Sequence, residues 1–201
     1  QALKAMNRYP EAIVDLTSLF VKDTTDTKIL IDLAECYKLM GSPRQAADYY
    51  RKAVSLRPNN KFFRLQYIRS LLNAENFKEA RDACHGWLEQ DTVSATGYKY
   101  LGQAYEGMQD IPNAFFSYNV AYRRDSLDAQ TVARIANIFN NNRQFTDAID
   151  VTECYRLSDT TSVDVNRQNA KAYCMLKDYK KAIERYESLL SNCRVQLFLC
   201  K

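Results

Sequence analysis

Residues 95–128, ATGYKYLGQAYEGMQDIPNAFFSYNVAYRRDSLD, hold the pattern from which the rest of the chain is read. Within them Gly102 and Ala114 are small where Tyr105, Ile111 and Tyr118 are large, and the same alternation returns every 34 residues in both directions. Ala12, Ala46, Ala80, Ala114, Ala148 and Ala182 stand at one phase, with no insertion or deletion between them. Three residues before each come Tyr9, Pro43, Phe77, Ile111, Phe145 and Tyr179; nine before come Leu3, Tyr37, Leu71, Tyr105, Phe139 and Tyr173. Twelve before stand Ala34, Ile68, Gly102, Ala136 and Ala170, and four after stand Leu16, Tyr50, Cys84, Tyr118, Thr152 and Tyr186. Several positions keeping one phase over this interval are the signature of a repeat architecture.

The alternation has a mechanical meaning. Two helices approach closely only where one presents a small side chain, and a large side chain from the neighbour then fills the remaining gap. One unit of two helices buries too little apolar surface to stand alone, so consecutive units must stack on a continuous core. The expected fold is therefore all-α, a solenoid of antiparallel helix pairs. It has five full repeats at 27–60, 61–94, 95–128, 129–162 and 163–196, after a partial one at 1–26, with 197–201 starting a further repeat. The whole chain 1–201 is expected to be a single solenoid and a piece of a longer protein.

These offsets resemble the tetratricopeptide repeat, with its small and aromatic positions and a proline closing the second helix. The resemblance covers essentially the whole chain and implies a right-handed superhelical stack acting as a non-enzymatic scaffold for protein–protein interaction. The sequence departs from that pattern in places. Only Pro58 keeps the closing proline, Thr24, Thr92, Ser126, Thr160 and Arg194 standing at the equivalents. Leu30, Arg64, Tyr98, Val132 and Asn166 replace the first-helix tryptophan. The fifth repeat is expected to pack more loosely, because Asn166 and Asn169 replace apolar residues.

Composition fits this reading. With 46% apolar and 26% charged residues, five glycines and four prolines, the chain is that of a folded helical protein and not a disordered one. No run of 18 apolar residues exists, so no transmembrane segment is expected. A net charge of +4 falls short of the basic balance of a nucleic-acid binder. Six cysteines without a C-x-x-C pair read as buried or half-buried free thiols, which points to a reducing compartment such as the cytoplasm. Neither a metal nor a cofactor is expected.

Helices are expected from about Thr27 to Met40, Pro43 to Leu56, Lys61 to Ala74, Phe77 to Gln90, Ala95 to Met108, Ile111 to Arg124, Ala129 to Asn142, Phe145 to Leu157, Val163 to Leu176 and Tyr179 to Asn192. Gly41-Ser42-Pro43 is the clearest stop and restart. The polar stretches Asp23–Thr27 and Ser158–Ser162 supply turns and helix N-caps.

The resemblance implies a groove lined by the first helix of each pair, able to hold an extended peptide. Assigning the packing stripe to the core leaves the opposite stripe of each first helix facing that groove. Its expected peptide-binding residues are Phe62, Gln66, Arg69, Lys99, Tyr100, Gln103, Arg134, Asn137, Arg167 and Lys171. From the second repeat on, the cations Arg69, Lys99, Arg134, Arg167 and Lys171 outnumber the acids Glu106 and Asp164, with the amides Gln66, Gln103, Asn137, Asn140 and Gln168 among them. Amides hydrogen-bond a peptide backbone and arginines grip carboxylates, so the expected ligand is an extended, acidic peptide segment.

Rival readings carry less. The chaperone-tail clamp of this family needs an asparagine where Arg134 stands and a cation where Asp164 stands. His85 is the sole histidine, and its neighbour Cys84 points about 100° away on a helix, so no Cys–His couple is expected. Single-stranded nucleic acid is disfavoured because most of the 14 tyrosines fall at packing offsets. A sensor or regulatory domain of a larger signalling protein, and self-association through uncapped repeat ends, are further alternatives.

Overall fold

The computed structural model describes residues 8–188; the readings that fall on Leu3, Cys193, Arg194, Cys200 and 197–201 lie outside them. Among the described residues the chain is helical throughout, with no strand. The helices are α1 (Tyr9–Lys22), α2 (Thr27–Leu39), α3 (Pro43–Leu56), α4 (Lys61–Asn73), α5 (Phe77–Gln90), α6 (Ala95–Gly107), α7 (Ile111–Arg124), α8 (Ala129–Asn141), α9 (Phe145–Arg156) and α10 (Val163–Met175), followed by α11 over 179–188. The expected all-α fold of repeated helix pairs is the one found, and the boundaries from α2 to the start of α11 fall within a residue or so of those read from the repeat phase, the expected end at Asn192 lying outside the described residues.

Two ladders of backbone chemistry fix those boundaries. Asp26, Asn60, Ser94, Asp128 and Ser162, 34 residues apart, each accept a hydrogen bond from a backbone N–H of the first turn of α2, α4, α6, α8 and α10. Side-chain oxygens at this position satisfy donors that the helix leaves unpaired. At the other end, Gly41, Glu75, Gln109, Arg143 and Lys177 adopt positive φ of 73°, 56°, 62°, 62° and 64°. The next residue in each case returns a backbone bond to the helix, as in Asn76 N to Leu71 O at 2.9 Å and Gln144 N to Phe139 O at 2.9 Å. This is the six-to-one closure of a helix C-terminus. Only the first of the five carries the glycine that the conformation favours.

The chain forms two compact units, one running to Thr92 with Gln103–Asp110, the other comprising Val93–Gly102 and the residues from Ile111 on. In the first unit Ala34, Ala46, Ala47, Tyr50, Tyr67, Leu71, Ala80 and Ala104 make one core cluster, with the Tyr37 and Tyr49 rings stacked at 5.5 Å. A Cβ on Gly107 would meet the Phe77 ring at 2.3 Å, so that glycine is required by close approach. In the second unit Ala136, Ala148 and Ala172 cluster beside Val132, Ala133, Tyr155 and Val165. The six anchor alanines are all 5% exposed or less.

The fifth repeat differs from expectation. Asn166 and Asn169 are 1% and 0% exposed, and both carboxamides are hydrogen-bonded at each end. Asn166 accepts from Arg156 and donates to Thr160 O at 2.7 Å. Asn169 donates to Thr152 Oγ1 at 2.8 Å and Glu153 Oε1 at 3.1 Å, and accepts from Arg185 Nε at 3.1 Å. The repeat is closed by a polar network and is not loosened, because each buried amide finds its partners. Arg64, at the same phase as Asn166, is likewise buried, donating to Pro58 O and Gln90 Oε1.

Candidate functional site

The ten candidate residues all lie on first helices and none is buried. Four belong to the first unit. On α4, Phe62 is 48% exposed and sits edge-on to Phe63 at 6.1 Å, while Gln66 is half-buried and Arg69 exposed. Gln103 of α6 is half-buried, and its Nε2 has no hydrogen-bond partner among the described residues.

The other six belong to the second unit, where the structure separates them. Lys99 donates to Asp128 at 3.0 Å with its ammonium over the Tyr100 ring at 5.5 Å, so it ties α6 to the N-cap of α8. For Asp128, burial pushes the carboxyl up, but hydrogen bonds from Thr131 and Lys99 outweigh that and hold it below its usual range. Lys171 donates to Asn141 Oδ1 at 3.2 Å. Arg134, Asn137 and Arg167 come together, lining one recess with Gln130, Ala133, Asp164 and Gln168.

That recess follows from helix geometry. Gln130, Ala133, Arg134 and Asn137 recur at the spacing of one face of α8, and Asp164, Arg167 and Gln168 do so on α10. Ala133, largely buried, is the small residue of its lining. Two guanidiniums and three carboxamides face one carboxylate, Asp164, which pairs with Arg167 at 3.1 Å. Both groups of that pair are more than half exposed, so it is worth at most about 1 kcal/mol and is readily exchanged for a competing carboxylate. Gln130 and Gln168, outside the ten expected residues, lie on the same stripe as Arg134 and Arg167. Asn140, expected among the groove amides, is 4% exposed and faces the protein.

His85 is exposed with Nε2 3.2 Å from the Tyr105 hydroxyl, whereas Cys84 is fully buried and its thiol is pushed up to about 12 by that burial. The two do not face each other. Of the described cysteines, Cys36 and Cys84 are buried, but Cys154 and Cys174 are exposed, contrary to the expectation of buried or half-buried thiols throughout. No helix among the described residues is long and apolar enough to cross a membrane.

The comparisons with known proteins agree with this architecture. Residues 27–60 match the family model of the tetratricopeptide repeat. No curated protein matches the chain in sequence. Among solved structures, Pseudomonas aeruginosa PilF superposes with a TM-score of 0.70 at 16% identity, covering 92% of this chain and 84% of that one. MamA from Desulfovibrio magneticus RS-1 gives 0.64 at 19% identity, covering 79% and 92%. YrrB, described as a tetratricopeptide-repeat protein with an unusual peptide-binding site, gives 0.59 at 16% identity, covering 88% and 91%. Residues 27–60 thus carry a tetratricopeptide repeat, and the chain shares the helical-repeat fold of these solved structures.

Proposed function

We propose that this protein is an interaction scaffold that binds an extended, acidic peptide segment on the first-helix faces of α8 and α10, anchored in the recess that these two helices share. The observation that carries the reading is the side-chain inventory of that recess: Arg134 and Arg167 with Gln130, Asn137 and Gln168, beside Ala133 and the single carboxylate of Asp164. Guanidiniums supply forked donors matched to a carboxylate, and carboxamides pair with both polar groups of a peptide unit. A solved protein of similar fold, YrrB, is described as having a peptide-binding site, which accords with this use of the fold.

The test is a hexaglutamate peptide carrying a benzophenone at one end, photo-crosslinked to the protein and mapped by mass spectrometry. Adducts within 130–137 and 164–168 support the reading. Adducts confined to the second helices, α7 or α9, would overturn it.

A further inference from the structure

Asn140 lies at the C-terminal end of α8 with its Nδ2 donating to two oxygens of Gln168, the main-chain carbonyl at 3.0 Å and the side-chain Oε1 at 3.1 Å. The first of these fixes the second. A main-chain carbonyl only accepts, so the Asn140 atom facing it must be the NH2 group, and that NH2 group in turn requires an oxygen from the Gln168 side chain. Reversing the Gln168 carboxamide would set two donors against each other. The Nε2 end of Gln168 is therefore the end left for the recess that Gln168 lines with Arg134 and Arg167.

Two features set Asn140 apart from an ordinary packing residue. Its own Oδ1 is buried without a hydrogen-bond partner among the described residues, an arrangement that opposes folding. The same phase in the other repeats holds Lys38, Leu72, Glu106 and Cys174, so the repeat fold itself does not call for asparagine there. A buried amide with an unfilled acceptor, at a position the fold leaves open, is accounted for by the neighbour it orients.

Building on the reading above that the recess takes an acidic peptide, we propose that Asn140 is a positioning residue. It holds the Gln168 carboxamide with its N–H donors toward the recess, and so makes the recess discriminate a carboxylate side chain from the corresponding amide. With Gln168 held this way, the recess presents donors from Arg134, Arg167 and Gln168 together. A glutamate carboxylate accepts from all of them, whereas a glutamine side chain sets its own NH2 against at least one. Asn140 does not touch the ligand; it acts through Gln168.

The test is a double-mutant cycle on the full chain, read as the ratio of affinities for hexaglutamate and hexaglutamine peptides. Asn140→Leu and Gln168→Leu are each expected to lower that ratio at least about tenfold, the effect of losing one hydrogen bond to a charged group. The double variant is expected to lie no lower than Gln168→Leu alone, because Asn140 has nothing left to orient. A ratio unchanged by Asn140→Leu, or lowered by the same factor in the Gln168→Leu background, would overturn the proposal. The unmutated protein gives a second readout: the Gln168 Nε2–H2 resonances should shift with hexaglutamate and not with hexaglutamine, and equal shifts with both would also overturn it. Failure of the unmutated protein to prefer hexaglutamate at all would instead remove the acidic-peptide reading on which the proposal rests.

Discussion

A Cβ built on Gly102 would stand 2.6 Å from two ring carbons of Tyr118, so the tyrosine ring already fills the space a side chain at 102 would need. The two residues, 16 apart, are the small and large halves of one joint between α6 and α7. Gly102→Ala is expected to destabilise the protein by about 1–3 kcal/mol through overpacking. Gly86, on the middle turns of α5 with nothing within 4 Å of an added Cβ, makes the control. Gly86→Ala should stabilise by about 0.5–1 kcal/mol through helix propensity. Denaturant melts of the two variants should move in opposite directions.

The helix-ending ladder makes a second prediction. Gln109 and Arg143 occupy left-handed backbone conformations that strain a side chain and suit glycine. Gln109→Gly and Arg143→Gly are each expected to raise stability by up to about 1 kcal/mol, and Gly41→Ala to lower it by a similar amount. Thermal unfolding of the three variants checks the ranking.

Much of this was legible in the sequence. The phase of Ala114 and its equivalents located the Gly102–Tyr118 joint, because close helix approach constrains residue size at fixed offsets, but not the approach of Phe77 to Gly107. The positive-φ ladder was visible only at Gly41, since Glu75, Gln109, Arg143 and Lys177 carry no glycine signal and their backbone is imposed by the turn. The polar closure of the fifth repeat was hidden for a different reason. Asn169 satisfies its amide with Thr152, Glu153 and Arg185, residues 16 or 17 positions away, and such pairings are set by three-dimensional packing and not by local pattern. The candidate site was legible as a stripe but not as individual roles: Lys99 turned to Asp128, and Asn140 turned inward to Gln168.

The polar closure also predicts a pH response. Burial pushes the Glu153 carboxyl up, but hydrogen bonding and charge from Arg185, then the charge of Arg156, outweigh it and hold the group below its usual range. A carboxyl depressed in the folded state contributes stability above its unfolded value near 4.5, and that contribution is lost as pH falls through the lower folded value. Glu153→Gln should therefore destabilise the protein at pH 7 and leave it closer to the unmutated protein as pH falls below about 4. Hydrogen exchange of the α9 and α10 amides at the two pH values resolves the effect.

Thiol chemistry distinguishes the described cysteines. Cys154 and Cys174 are exposed, whereas Cys36 and Cys84 are buried and the Cys84 thiol is pushed up to about 12. Iodoacetamide at pH 8 should modify Cys154 and Cys174 in the folded protein and reach Cys36 and Cys84 only on unfolding, since the thiolate is the reactive form. Peptide mapping after brief labelling gives the order directly.

The central claim is that Arg134 and Arg167 anchor an acidic peptide on the faces of α8 and α10. Calorimetric titration of hexaglutamate into the unmutated protein and into an Arg134→Glu, Arg167→Glu double variant tests it most directly. The account predicts salt-sensitive binding to the first and none measurable to the second, with unfolding temperatures that agree within a few degrees because neither side chain is in the core. Equal affinity in the two proteins would contradict it.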